Sequence, residues 1–245
     1  MAEISRPGQV SQKDKRKSLL KGKNVTTIAF DVYGTLIDPH GVVTALEKLI
    51  GEKAKDFSYT WRDKQLEYSF RKGLMQNYET FAICTSQALD YTCAFHKTDL
   101  NDEQKKELLS IYRILPAFDD VKEGLTLLKA KGFQLYAFSN GAAEALEVLL
   151  NNAGIREMFL GVVSVDDIKS FKPNPAVYCH FLRKSNSTGE NAWLISSNPF
   201  DVIGSISAGM KSAWVRRSPD AVFDPWGIEP TITVSSLIEL ADRIV

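Results

Sequence analysis

Residues 25–31, VTTIAFD, run on into VYGTL at 32–36 and decide the fold. A short β-branched and aromatic run ends on the carboxylate of Asp31 and is followed by a Gly-containing turn, the pattern of a buried strand feeding a loop. Similar runs recur at 133–138 (FQLYAF), 159–163 (FLGVV), 192–195 (AWLI) and 212–215 (SAWV). Most are separated by helix-like segments at 120–131, 142–153, 175–184 and 200–208, each ended or followed by Gly, Asn or Ser. Alternation of this kind predicts parallel strands joined by crossover helices in an open α/β sheet.

The interval between the first two strands breaks the pattern. About ninety residues, from Gly41 to near Leu128, read as helix after helix, far longer than a simple crossover. Much of it is expected to be an inserted helical cap. Its best segment is 56–74, DFSYTWRDKQLEYSFRKGL, where Trp61, Gln65, Tyr68 and Lys72 share one helical stripe and Arg62, Leu66 and Phe70 the adjacent one. The expected layout is a flexible basic tail at 1–24, an α/β core at 25–40 and 119–245, and the cap at 41–118. The tail carries Arg6, Lys13, Lys15, Arg16, Lys17, Lys21 and Lys23 against only Glu3 and Asp14, and reads as a solvated segment without chemistry.

Composition narrows the partners. With 44% hydrophobic residues the chain can bury a core, and 30 Lys+Arg against 30 Asp+Glu give no global pull toward nucleic acid or anionic membrane, so neither partner is expected. No apolar stretch is long enough to span a bilayer, and the start lacks the apolar segment of a secretory signal. Cys84, Cys93 and Cys179 form no C-x-x-C pair, so neither a disulfide framework nor a zinc site is suggested, and a reducing cytoplasm fits.

In open parallel α/β sheets, ligands bind beyond the carboxyl ends of the strands. The first strand ends in Asp31 and the second in Ser139-Asn140-Gly141; Lys172-Pro173 follows the third; the fourth ends in Ser196-Ser197-Asn198, with Asp201 after it. Any one of these alone is ordinary turn or cap chemistry. All four, in order, bring a carboxylate, a lysine, hydroxyls and an amide to one rim.

This set resembles the haloacid dehalogenase (HAD) superfamily over about residues 26–243. The resemblance implies a HAD-like Rossmannoid core with a mostly parallel sheet, an inserted helical cap and a nucleophilic Asp31. Most phosphatases of that superfamily look like DxDGT and end in an acidic pair that helps to hold Mg²⁺. Here Tyr33 stands at the second Asp, and Ser197 replaces the metal-binding carboxylate, which disfavours phosphoryl transfer because Mg²⁺ needs hard oxygen ligands. The combination YGTL, SNG, K-P and SSNxxD looks like the L-2-haloacid dehalogenase branch, which works without metal or other cofactor. WRDKQLEYSF, followed by LMQNYETF, resembles that branch's arginine-bearing cap helix.

The resemblance assigns roles for displacing halide from a small L-2-haloacid, giving the D-2-hydroxy acid and halide as products. Asp31 would attack C2 and form an ester. Lys172 would keep Asp31 ionised, and Thr35 would orient it. Ser139, the N–H groups around Asn140 and the turn that begins at Val32 would bind the substrate carboxylate. Arg62 would receive the halide, aided by Asn198. Tyr33, Leu66, Phe81 and Phe200 would wall the C2 substituent. Asp201, with Ser196 and Asn198 nearby, would orient or activate the water that hydrolyses the ester, and Tyr178 would line the same polar network.

Asp63 stands where the branch more usually has glutamine, so it could pair with Arg62 or repel an anionic substrate, and Phe200 stands where tryptophan is frequent. His40, His96 and His180 show no ligand spacing and receive no role. Trp61 and Tyr68 read as cap packing and Cys179 as a buried thiol. The resemblance implies a homodimer. Two rival readings stay open: a HAD-fold phosphatase, and a catalytically silent binding protein on the same fold.

Overall fold

Asp31 is held at the rim because the strand before it is apolar on both faces. The computed structural model describes residues 26–244, and the basic tail at 1–24 lies outside the described residues. Strand β1 (Thr27–Phe30) is buried at all four positions, and β4 (Ala192–Ser196) at all five. Continuous apolar runs of this kind suit a parallel sheet covered on both faces. The remaining strands are β2 (Gln134–Ser139), β3 (Gly161–Ser164), β5 (Lys211–Val215) and β6 (Ile232–Val234), and the order β3-β2-β1-β4-β5-β6 is parallel throughout.

Four helices precede β2 within the long interval: α1 (Val43–Ile50), α2 (Ala54–Leu74), α3 (Phe81–His96) and α4 (Asp102–Ile111); α5 (Val121–Ala130) then leads into the strand. The crossovers beyond it are α6 (Ala143–Asn152), α7 (Pro175–Lys184) and α8 (Pro199–Ser207), and α9 (Leu237–Arg243) closes the chain. Helix α8 starts one residue before its expected position, because Pro199 has the φ that a first helical turn needs and loses no hydrogen bond there. Thr80 caps α3 through its side chain, accepting from the Ile83 N–H at 3.4 Å.

The third strand begins two residues later than the run FLGVV suggested. Phe159 closes a short 3-10 turn and packs its ring 6.0 Å from that of Phe30, while Leu160 is exposed. Strand β6 and helix α9 were not read from the sequence: a strand of three residues, of which only Val234 is buried, with no preceding helix gives little periodic signal. Helix α9 packs on α5 at Gly124, where a Cβ would meet Leu237 Cβ at 2.4 Å and its backbone carbon at 2.7 Å, so the close approach needs glycine. Cys179 is exposed and not buried, because Val177, Tyr178 and Phe181 turn inward on α7 and leave it on the opposite face.

Helix α2 is 21 residues long, about 31 Å at 1.5 Å per residue. Its buried side includes Phe57, Trp61, Arg62, Gln65 and Ser69, whereas Tyr68 and Lys72 of the expected stripe are only half-buried. Burying Phe57 and Trp61 contributes about 2 to 3 kcal/mol each, enough to seat a helix whose buried face is otherwise polar.

Candidate active site

Strand register assembles the rim. Phe30 pairs with Ala137 on β2 and Ile195 on β4, and the Asp31 N–H donates to the Ile195 carbonyl at 3.0 Å, so Asp31 stands level with Phe138 and Ser196. Asp31 is 7% exposed, and its carboxylate is held unequally. Oδ2 accepts from Thr35 Oγ1 (2.9 Å), Ser196 Oγ (3.1 Å) and Asn198 Nδ2 (2.7 Å). Oδ1 accepts from Lys172 Nζ at 3.2 Å. The loop that carries Thr35 turns at Gly34 with φ of +91°, a conformation side chains rarely adopt. Ser197 fastens it by donating to the Gly34 carbonyl (2.6 Å), while its N–H donates to Thr35 Oγ1 (2.8 Å).

Lys172 is almost fully buried and gives its ammonium protons to Asp201 Oδ2 (2.7 Å), the Phe138 carbonyl (2.9 Å) and Asp31. Burial alone would lower its proton affinity, but Asp201 and Asp31 outweigh burial and hold it charged. Burial pushes Asp201 up to about 6, against the pull of Lys172 and with Asp31 adding to the rise. The Tyr178 hydroxyl donates to Asp201 Oδ1 at 2.8 Å, and burial followed by Asp201 raises that phenol well above its ordinary range.

At the end of β2, Asn140 Oδ1 accepts from the Lys172 N–H (2.9 Å), which ties two strand ends together. Ser139 Oγ accepts from the Gly141 N–H at 3.2 Å, and Ser164 Oγ fixes the Gly141 carbonyl at 2.6 Å. Above the rim, Arg62 is 9% exposed; Nη1 donates to Gln65 Oε1 (2.6 Å) and Nη2 to the Tyr33 carbonyl (3.2 Å). Asn198 Nδ2 reaches the same carbonyl at 3.3 Å. Burial lowers the proton affinity of Arg62, partly offset by Tyr112 and Asp31. Burial pushes the Tyr33 phenol up to about 12.

A cavity of about 10 Å³ lies between these groups, lined by Asp31, Tyr33, Arg62, Leu66, Phe81, Ser139, Asn140, Lys172, Asn198 and Phe200. Thr35, Ser196, Tyr178 and Asp201 stand behind it and touch it through Asp31 and Lys172. The Val32 side chain belongs to the apolar core and not to the lining, since its strand-end position turns it away from Asp31. Asp63 is exposed, and the hydrogen bonds of Arg62 go to neutral partners. His40 bonds Ser58 and His96 bonds Thr60, both away from this lining.

Two contributors were not read from the sequence. Gln65 was placed on a stripe but given no task, although its position three residues from Arg62 on one helix face was a usable signal. Arg217 donates to the Thr35 carbonyl (2.5 Å) and pairs with Asp120 (2.6 Å), and nothing in its neighbourhood in sequence announces this.

A family model described as haloacid dehalogenase-like hydrolase matches residues 25–209. Haloacetate dehalogenase H-2 of Moraxella sp. (strain B) is 38% identical over 86% of this chain and 94% of its own length. An (S)-2-haloacid dehalogenase of Pseudomonas putida is 34% identical over 91% of this chain and 98% of its own. The structure of L-2-haloacid dehalogenase from Xanthobacter autotrophicus with chloropropionic acid covalently bound superposes with a TM-score of 0.83 at 28% identity, covering 89% of this chain and 97% of that one. The unequally held aspartate, the buried lysine beneath it and the arginine above it thus sit on a shared scaffold, and the chain belongs to the haloacid dehalogenase-like hydrolases, in their 2-haloacid dehalogenase branch.

Proposed function

We propose that this protein hydrolyses small L-2-haloacids to D-2-hydroxy acids through an ester on Asp31, without a metal or other cofactor. One observation carries the mechanism: Asp31 Oδ2 is saturated by three donors, Oδ1 accepts from Lys172 alone among the described residues, and the carboxylate and Arg62 line the same narrow cavity. Oδ1 therefore has the free electron pair. It bonds to C2 from the side opposite the halogen, the carbon-halogen bond breaks with its electrons going to halide, and the cation of Arg62 stabilises the departing charge.

In the second step water adds to Asp31 Cγ. Negative charge then develops on Oδ2, where Thr35, Ser196 and Asn198 already donate. The Lys172–Asp201 pair takes one water proton and delivers one to Oδ1 as the Cγ–Oδ1 bond breaks, so the product hydroxyl keeps Oδ1, the water oxygen stays in the carboxylate, and the second water proton leaves to solvent. Ser139 and the N–H groups near Asn140 hold the substrate carboxylate, and the turn at Val32 contributes backbone only. The helical segment at 41–118 acts as the cap. Action in the cytoplasm, as a homodimer, belongs to the same reading; among the described residues no helix is long and apolar enough to cross a membrane.

A Mg²⁺-dependent phosphatase fits poorly. The Lys172 ammonium already lies between the carboxylates of Asp31 and Asp201, and Ser197 donates its proton to a carbonyl, so this donor set does not suit a divalent cation.

The test is halide release from L- and D-2-chloropropionate and chloroacetate in EDTA, with single turnover in ¹⁸O-water and p-nitrophenyl phosphate plus Mg²⁺ alongside. Release from the L form, with ¹⁸O found in the peptide of Asp31, supports the reading. Label in the hydroxy acid alone overturns the ester, and phosphate release without halide release overturns the reaction class.

A further inference from the structure

Arg62 is a buried cation whose hydrogen bonds run to a side-chain amide and a backbone carbonyl, not to a carboxylate. The amide is Gln65, which is fully buried and stands three residues along the same face of α2. Its orientation is fixed by proton counting. Thr85 Oγ1 has one proton and gives it to the Phe81 carbonyl at 2.8 Å, so towards Gln65 it can only accept. Gln65 Nε2 donates to it at 2.5 Å, and Oε1 is thereby turned to Arg62 Nη1 at 2.6 Å. The Trp61 indole N–H holds the Thr85 carbonyl at 2.8 Å, which locks α3 against α2 at the same level.

We propose that Gln65 is a positioning residue for the leaving group: it aims the Arg62 guanidinium into the cavity and, being neutral, leaves its charge uncompensated for the halide. The proposal rests on the dehalogenase reading above. A carboxylate at this place would have the same shape and reach but would neutralise Arg62 in a buried space where charge is felt strongly. Chloride, the poorer leaving group, depends more on that cation than bromide does. The carboxylate-binding groups at Ser139 and Asn140 belong to other elements, so substrate affinity should survive the change.

The experiment compares wild type, Gln65→Glu and Gln65→Met with L-2-chloropropionate and L-2-bromopropionate. For Gln65→Glu we expect kcat for the chloro substrate to fall at least 100-fold, KM to stay within about threefold, and the bromo-to-chloro rate ratio to rise at least fivefold. Hydrolysis of ester already formed, followed by quenched flow and intact mass, should keep its rate. Gln65→Met, which is uncharged and similar in volume, should lose about tenfold in kcat and carries the test if the Glu variant does not fold. Equal losses on both halides, a change confined to KM, or kcat within threefold of wild type in both variants would overturn the role. Wild type without activity on either substrate would instead overturn the dehalogenase reading and this role with it.

Discussion

Lys172 lies closer to Asp201 than to Asp31, 2.7 Å against 3.2 Å. The lysine is thus anchored by the carboxylate behind the site and leans on the one at the front, which leaves Oδ1 of Asp31 its nucleophilic electron pair. Asp201 in turn is the group whose protonation decides how the lysine's charge is shared.

That arrangement predicts an acid limb. Burial raises Asp201 to about 6, so the carboxylate is ionised above that pH and neutral below it. Once neutral it can no longer take the water proton, and kcat should fall about tenfold per pH unit below the limb. The sign for stability is separate: a carboxyl raised above its unfolded value favours folding most below the unfolded pKa and loses that contribution as pH rises through 6. A pH–rate profile for halide release that stays flat from pH 5 to 8 would remove Asp201 from the second step.

Lys172→Met should abolish turnover and destabilise the fold. It strands Asp31 and Asp201 without a counter-charge, and breaking a buried pair in this way costs about 3 to 5 kcal/mol. Without Lys172 the buried Asp201 would hold its proton to higher pH in the native state, so the deficit should shrink on acidification. Urea unfolding at pH 7.5 and pH 5 measures this, and an equal deficit at both would contradict it.

Tyr178→Phe removes the 2.8 Å hydrogen bond to Asp201 Oδ1. A hydrogen bond to a charged group is worth about 1.5 to 3 kcal/mol, so the variant should be less stable by that amount. Loss of a donor to the ionised form also moves the acid limb upward. A profile with an unmoved limb would show that Tyr178 is a packing residue only.

Arg217→Met should lower stability by about 1.5 to 3 kcal/mol through loss of its charge-assisted hydrogen bond to the half-buried Asp120. It also frees the Thr35 carbonyl, so kcat should fall severalfold with little change in KM. Chemical denaturation beside steady-state kinetics separates the two effects.

The strand ends were legible because their signal is local: an acidic or polar residue closing an apolar run is visible within a few positions, and parallel topology then gathers those ends. Arg62 was legible within a helical stretch, but its partner was not. The neighbour in sequence, Asp63, drew the reading, whereas a helix turns adjacent residues about 100° apart and brings i and i+3 together, which makes Gln65 the contact. The tasks of Thr85 and Arg217 depend on residues 20 and 182 positions away, and no pattern in one sequence encodes such pairs. The exposure of Cys179 was misjudged because thiols are so often interior that the default overrode the helical phase of α7.

The cavity beneath Arg62 measures about 10 Å³, which is room for roughly one water molecule. Space this narrow between Asp31 and the side of α2 that carries Arg62 and Leu66 leaves a bound haloacid little freedom to turn. The same narrowness rations the hydrolytic reagent, since few water molecules can share this space with an ester on Asp31.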